Sequence, residues 1–176
     1  MNEKKHSSKA AKFVNYIIDI IKTSSEVKAA LKNADNHNLA YKSWGILANF
    51  NLQEESVDLE NNSERIAYST IAANIARAKI ESNGELNLGR ALALCNKDDP
   101  DQLSIRLRRL LSCDSTIEVC QVLRQIFSLL QSKNITNLDY IKLLEQLTYF
   151  NSELSRQNTK LNWAKEFYSK RKVVNE

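Results

Sequence analysis

The side chains in this chain best suited to chemistry are arginines. Four of them, Arg90, Arg106, Arg108 and Arg109, lie among leucines in the stretch ELNLGRALALCNKDDPDQLSIRLRRLLSCD from Glu85 to Asp114. A guanidinium stays protonated and presents planar, paired donors, so it grips carboxylate or phosphate rather than exchanging protons. The chemistry on offer is anion binding. The stretch reads as two helices joined by an acidic loop containing Pro100. In the first, Leu86, Leu88, Ala91, Leu92, Ala93 and Leu94 point in nearly every direction at about 100° per residue, which predicts a helix surrounded by protein. Arg90 sits in its middle and therefore needs an anion nearby; a carboxylate and a phosphate both meet that need. The second helix is amphipathic, with Leu103, Leu107, Leu110 and Leu111 as its core stripe. Arg106 and Arg109, three apart, are neighbours on one side of its polar face, and Arg108 lies on the other. Ile105 falls near the centre of that face, either as a harmless exposed residue or as a contact with a second bundle or subunit.

Other basic residues stand on neighbouring elements. Lys28 and Lys32, four apart, flank a short helix whose buried stripe is Val27, Ala30, Leu31 and Ala34. Arg124 projects with Gln121, Ser128 and Gln131 from the face opposite the core stripe Val119, Val122, Leu123, Ile126, Leu129 and Leu130. Lys/Arg and Asp/Glu balance at 13 each up to Pro100, but number 12 against 8 after it, so the net charge of +4 lies in the C-terminal part. That asymmetry is the footing for a basic face.

The elements that must carry these groups are helical. The 176 residues include only three Gly and one Pro, and the apolar residues recur at helical rather than alternating spacing. The expected fold is all-α, a compact bundle of about nine helices with no sheet, long enough for one real core. The chain reads as a single helical domain over 1–176, and the loop before Pro100 allows two halves, about 1–97 and 98–176. A first helix from Ser8 to Lys22 buries Phe13, Val14, Ile17, Ile20 and Ile21. Ser24 or Ser25 caps the second. A third, about Leu39 to Asn49, carries Tyr41, Trp44, Leu47 and Ala48. The acidic stretch from Asn51 to Asn62 reads as a surface loop, with room for a helical turn around Val57 and Leu59.

Ser63 is the expected cap of helix four, whose Ala and Ser residues let a neighbour approach closely, and Gly84 its breaker. Asp99 and Pro100 start helix six, and Ser115 to Glu118 is a capping box for helix seven. Helix eight follows from about Asn137. The polar NSELSRQNTK reads as a connection to a last helix packing through Trp163, Phe167 and Tyr168. The final Lys170, Arg171 and Lys172 read as a solvated tail.

Enzyme chemistry finds no footing. No phosphate-cradling glycine loop exists, and His6 and His37 fall in a tail and a turn, away from any nucleophile. Glu54/Glu55 and Asp98/Asp99 are adjacent carboxylates in acidic loops. The three cysteines form no C-x-x-C pair, so no metal site, no cofactor and no disulfide framework is expected, in keeping with a reducing cytoplasm. The apolar run Phe13 to Ile21 is broken by Asn15 and Asp19, which makes it amphipathic rather than a signal peptide or membrane span.

The order of several segments matters more than any one of them. KAALKNA from Lys28, NLGRALAL from Asn87, SIRLRRLLSCD from Ser104, LRQIFSLLQSKNITNLDYIKLLEQL from Leu123 and LNWAKEFY from Leu161 together resemble the CasB family. This is the small subunit of the type I-E CRISPR Cascade complex. The Asn51 to Asn62 insert and the residues after Tyr168 depart from the family pattern. The resemblance implies an all-α fold without enzymatic activity, placed beside the backbone and large subunits and a second copy of itself. It also implies contact with guide RNA, target DNA and the displaced strand. Carried over position by position, it makes Lys28, Lys32, Arg90, Arg106, Arg109 and Arg124 candidate nucleic-acid-binding residues, with Arg108 and Lys133 beside them. Because the aromatics fall on core stripes, the expected surface is an electrostatic groove and not a stacking platform. The competing reading is a structural adaptor that only bridges protein subunits. A helix-turn-helix regulator and a nuclease rank below both.

Overall fold

The computed structural model describes residues 8–50, 57–95 and 100–169, without the side chains of 100–102. Among them are nine helices and no strand: α1 Lys9–Thr23, α2 Ser25–Leu31, α3 Tyr41–Phe50, α4 Asn62–Ala78, α5 Leu88–Leu94, α6 Pro100–Ser112, α7 Thr116–Ser132, α8 Tyr140–Thr148 and α9 Glu153–Tyr168. A single parallel bridge joins Leu86 to Leu138. The all-α expectation holds.

Local chemistry explains most helix starts. Ser8, Ser24, Ser115 and Asp139 each accept a backbone N–H of the first turn of α1, α2, α7 and α8, removing one of the donors a helix leaves unpaired. Glu118 accepts from the Asp114 N–H at 2.8 Å, which completes the cap of α7. Helix α4 differs from expectation at both ends. Asn61, not Ser63, is its cap, accepting from Ser63 and Glu64, and Lys79 in the left-handed conformation (φ 54°) ends it well before Gly84. Gly84 serves a close approach instead, since a Cβ there would lie 2.3 Å from the Asn137 carbonyl carbon. The described residues 57–61 form no helical turn, for which the sequence left room; Val57 is buried in the core and Leu59 packs against it. In the polar stretch Asn151–Lys160 only Asn151 and Ser152 are connection; from Glu153 on it is the first half of α9. The Asp99 cap, half of the acidic loop (51–56) and the C-terminal basic tail fall outside the described residues.

Helix α4 is the axis of packing. Ten consecutive residues, Ala67 to Ala76, are buried, and the helix packs on α7, α1, α8 and α2. Its alanines let α7 close in, as their lack of side-chain bulk predicts. Phe13 meets Phe50 and Tyr68 edge-on, at centroid distances of 5.2 and 4.6 Å, a favoured aromatic geometry. The buried Asn74 on this axis is paired, donating to Tyr140 Oη at 3.0 Å and accepting from Gln131 at 2.7 Å. The core cluster runs from Ala10 to Phe167.

All three cysteines are buried and free. Burial pushes the thiols of Cys95 and Cys113 up, and that of Cys120 up to about 12, so none supplies a thiolate at neutral pH. A thiol reagent at pH 8 should label none of the three in the native protein and all of them in denaturant. Rapid native labelling would contradict the packing. The sign of the pH effect follows: a thiol kept neutral by the fold supports it below the ordinary thiol range and opposes it as pH climbs toward about 12.

Candidate nucleic-acid interface

The structure separates the eight candidate cations. Arg106, Arg108 and Arg109 are carried by α6, whose buried Leu103, Leu107 and Leu110 turn them outward. Arg109 Nη1 donates to Gln125 Oε1 of α7 at 3.2 Å, while Arg108 Nε leans back on the Ser104 carbonyl at 3.4 Å, on the other flank. Among the described residues, no carboxylate forms an ion pair with Arg106, Arg108 or Arg109. Lys133 ends α7. The positive charges of Lys133 and Arg106 both partly offset the effect of burial on the Cys95 thiol at the end of α5. Arg109 acts in the same way on Cys113.

Arg90 is a correction. It is half-exposed, and instead of an anion it holds the Ser169 carbonyl at 3.2 Å, just past the end of α9. Its helix is buried by α9 through Leu88, Ala91 and Leu92, but seven residues are too few to enclose a long side chain on the remaining face. Lys28 and Lys32 lie on α2, which packs against α1, α3 and α4 rather than within the α6–α7 pair.

Arg124 departs most from expectation. It does not project freely from α7, because its Nε lies 3.5 Å from Asp35 Oδ2, an oxygen that also accepts from Arg77 Nη1 at 2.9 Å. Arg77 Nη2 binds the other carboxylate oxygen. The Asp35 side chain is 4% exposed, those of Arg77 and Arg124 37% and 41%. One carboxylate thus serves two guanidiniums, and the trio keeps a net charge of +1. A charge this buried requires such partners, and the pairing holds Arg124 against the α2–α3 connection.

Above this trio opens a cavity of about 560 Å³, whose lining includes Asp35, His37, Trp44, Arg65, Gln121 and Arg124. Trp44 and Tyr41, expected on a core stripe, are instead 49% and 58% exposed. Helix α3 buries only Ser43, Leu47 and Phe50, so the inward stripe is one residue out of phase with the aromatics. Tyr168 is likewise exposed, while Trp163 and Phe167 are buried as expected. Sequence reasoning missed Asp35, Arg77, Arg65 and Trp44 as a group; the only local signal was an aromatic at a position where a strict stripe would leave it outside.

Among the described residues, no group of three or more His, Cys, Asp or Glu could hold a metal ion, and no helix is long and apolar enough to cross a membrane.

The family model of CRISPR-associated protein Cse2 matches residues 27–168. No curated protein sequence matches the chain. Among solved structures, a Cse2-family protein of Thermus thermophilus is similar at 19% identity, covering 92% of this chain and 98% of its own, with a TM-score of 0.74. CasB of M. ruber is similar at 21% identity, 93% and 94% coverage and a TM-score of 0.74. CasB of Thermobifida fusca gives 21%, 91%, 98% and 0.66. At these identities the structural likeness establishes the fold.

Proposed function

The chain belongs to the Cse2 (CasB) family of CRISPR-associated proteins, and from that premise we propose that it is a non-catalytic, nucleic-acid-binding small subunit of Cascade. In this reading it steadies the guide RNA–target hybrid and the displaced DNA strand through contacts to the backbone, beside the other Cascade subunits and a second copy of itself, in the cytoplasm. Exchanging a DNA duplex for a guide–target hybrid is nearly balanced in free energy, so modest contacts to phosphates can tip it. The observation that carries the reading is Arg106 and Arg109 side by side on the outer face of α6, without a carboxylate partner among the described residues. Such cations supply sequence-independent affinity. Lys28, Lys32, Arg90, Arg108, Arg124 and Lys133 are contacts of the same kind in this reading.

Footprinting of the displaced strand, with the assembled complex and with the complex lacking this subunit, tests the proposal. Protection should shrink when the subunit is left out. An unchanged footprint removes the reading. The adaptor reading has one specific support, the exposed Leu154, Leu161 and Tyr168, which recur every seven residues along α9 as a seam open to a protein neighbour. An adaptor alone would keep both assembly and footprint when Arg106 and Arg109 are substituted in the complex, whereas the nucleic-acid reading expects assembly to persist and the footprint to shrink.

A further inference from the structure

The cavity over Asp35 has the features of a site for one nucleotide. Its wall carries Trp44, 49% exposed on the α3 surface, and every base has a π-face that can stack on an indole. Its floor carries Arg124, whose guanidinium is held in place by Asp35 yet stays 41% exposed on its side chain. The Arg124 Nε is itself buried, turned toward Asp35 at 3.5 Å without a hydrogen bond among the described residues, so it is the exposed remainder of the guanidinium that faces the cavity. Because Asp35 is shared with Arg77, the carboxylate neutralises only one of the two arginines, and an anion reaching the floor meets surplus positive charge. Arg65 stands beside it but is committed, donating to the Leu59 carbonyl at 2.6 Å and to Asn62 Oδ1 at 2.7 Å. It therefore fixes the shape of the wall. Asn36, Gln121 and Ser69 add amides and a hydroxyl to a lining otherwise completed by His37, Asn62 and small or apolar residues, and these polar groups can donate or accept and so exclude no particular base. The volume of about 560 Å³ is in the range of pockets that hold small ligands.

We propose that this cavity is a nucleotide subsite, taking one unpaired base against Trp44 and its phosphate on Arg124. The inference rests on the nucleic-acid reading above and sharpens it: the strand is gripped at one point by stacking as well as by charge. It also replaces the expectation of a purely electrostatic groove, which assumed that the aromatics were buried.

The chain offers its own reporter. It has two tryptophans, and Trp163 is fully buried, donating to Gln146 Oε1 at 3.0 Å, so fluorescence changes on adding a ligand come from Trp44. The purified full-length chain is titrated with a short oligothymidylate and with an abasic oligonucleotide of equal phosphate count. The base-bearing strand should quench the emission and bind about 5- to 150-fold more tightly, the range expected for one stacked base. Trp44→Ala should bring the two strands to equal affinity with an unchanged melting temperature, and Trp44→Phe should keep most of the difference. If both strands bind equally to the unaltered protein without quenching, the subsite is wrong while the nucleic-acid reading stands. If neither strand binds, both fall. A difference that survives Trp44→Ala places the base elsewhere and overturns the assignment.

Discussion

Reversing Arg106 and Arg109 together to glutamate is expected to weaken binding to DNA about a hundredfold, from about 1.5 kcal/mol for each charge-assisted hydrogen bond removed. The two side chains leave α6 three residues apart on one side of its polar face, and Leu107 and Leu110 beneath them are fully buried. Arg109 gives up only an exposed hydrogen bond to Gln125 in the process, so the helix should remain folded. The salt dependence carries the diagnosis. Each phosphate neutralised on a duplex contributes about 0.9 log units of affinity per log unit of salt, so the double reversal should flatten that slope by about 2. Reversing Lys22 and Lys165, two exposed lysines on other helices, changes the net charge equally and should move affinity far less. Equal losses in the two double variants would mean that total charge alone, and no surface, attracts the nucleic acid.

The second large effect concerns stability and uses one substitution with opposite signs at two places. A Cβ added at Gly89 would lie 2.2 Å from the Trp163 carbonyl oxygen and 2.9 Å from Glu166 Cβ, both on α9, whereas one added at Gly45 meets nothing within 4 Å. Helix α5 rests on α9 there, and backbone cannot swing aside as a flexible side chain can. Gly89→Ala should therefore cost about 3 kcal/mol from overpacking, lowering the melting temperature by roughly 6–12 °C for a chain of this size. Gly45→Ala, on an open helical face, should gain about 1 kcal/mol from helix propensity. Thermal melts of the two variants read both signs. Equal shifts in the same direction would refute the close α5–α9 approach.

The contrast between these glycines shows how far local reading reaches. Both look alike in sequence, each inside a helical pattern, and only the neighbour across the interface distinguishes them. The same division runs through the candidate site. The leucine periodicity of α6 is enough to turn Arg106 and Arg109 outward and to leave Ile105 exposed, since the apolar stripe of a single helix decides both. The serine caps of α2 and α7 are legible because the bond from cap to first turn spans only three residues. Arg90 escapes this kind of reading. An apolar pattern suggests enclosure on every side, but the seven-residue α5, packed mainly on α9 and less on α6 and α7, leaves the Arg90 side half-exposed. The polar first half of α9 looks like a connection in sequence because its exposed apolar residues, Leu154 and Leu161, and its buried Thr159 invert the usual pattern.

From its residues alone, then, the chain specified an all-helical architecture, the starts of most helices, the outward arginines of α6 and a likeness to the family to which it belongs. Each of those follows from spacing within one segment or from the order of segments. Only the tertiary structure decided that Arg124 shares Asp35 with Arg77, that Trp44 faces a cavity, and that Gly89 touches the Trp163 carbonyl. The physical reason is range. The Arg77–Asp35 pair spans 42 residues of chain, and a partner so distant is chosen by how α2, α4 and α7 pack together, which no pattern within a single helix encodes.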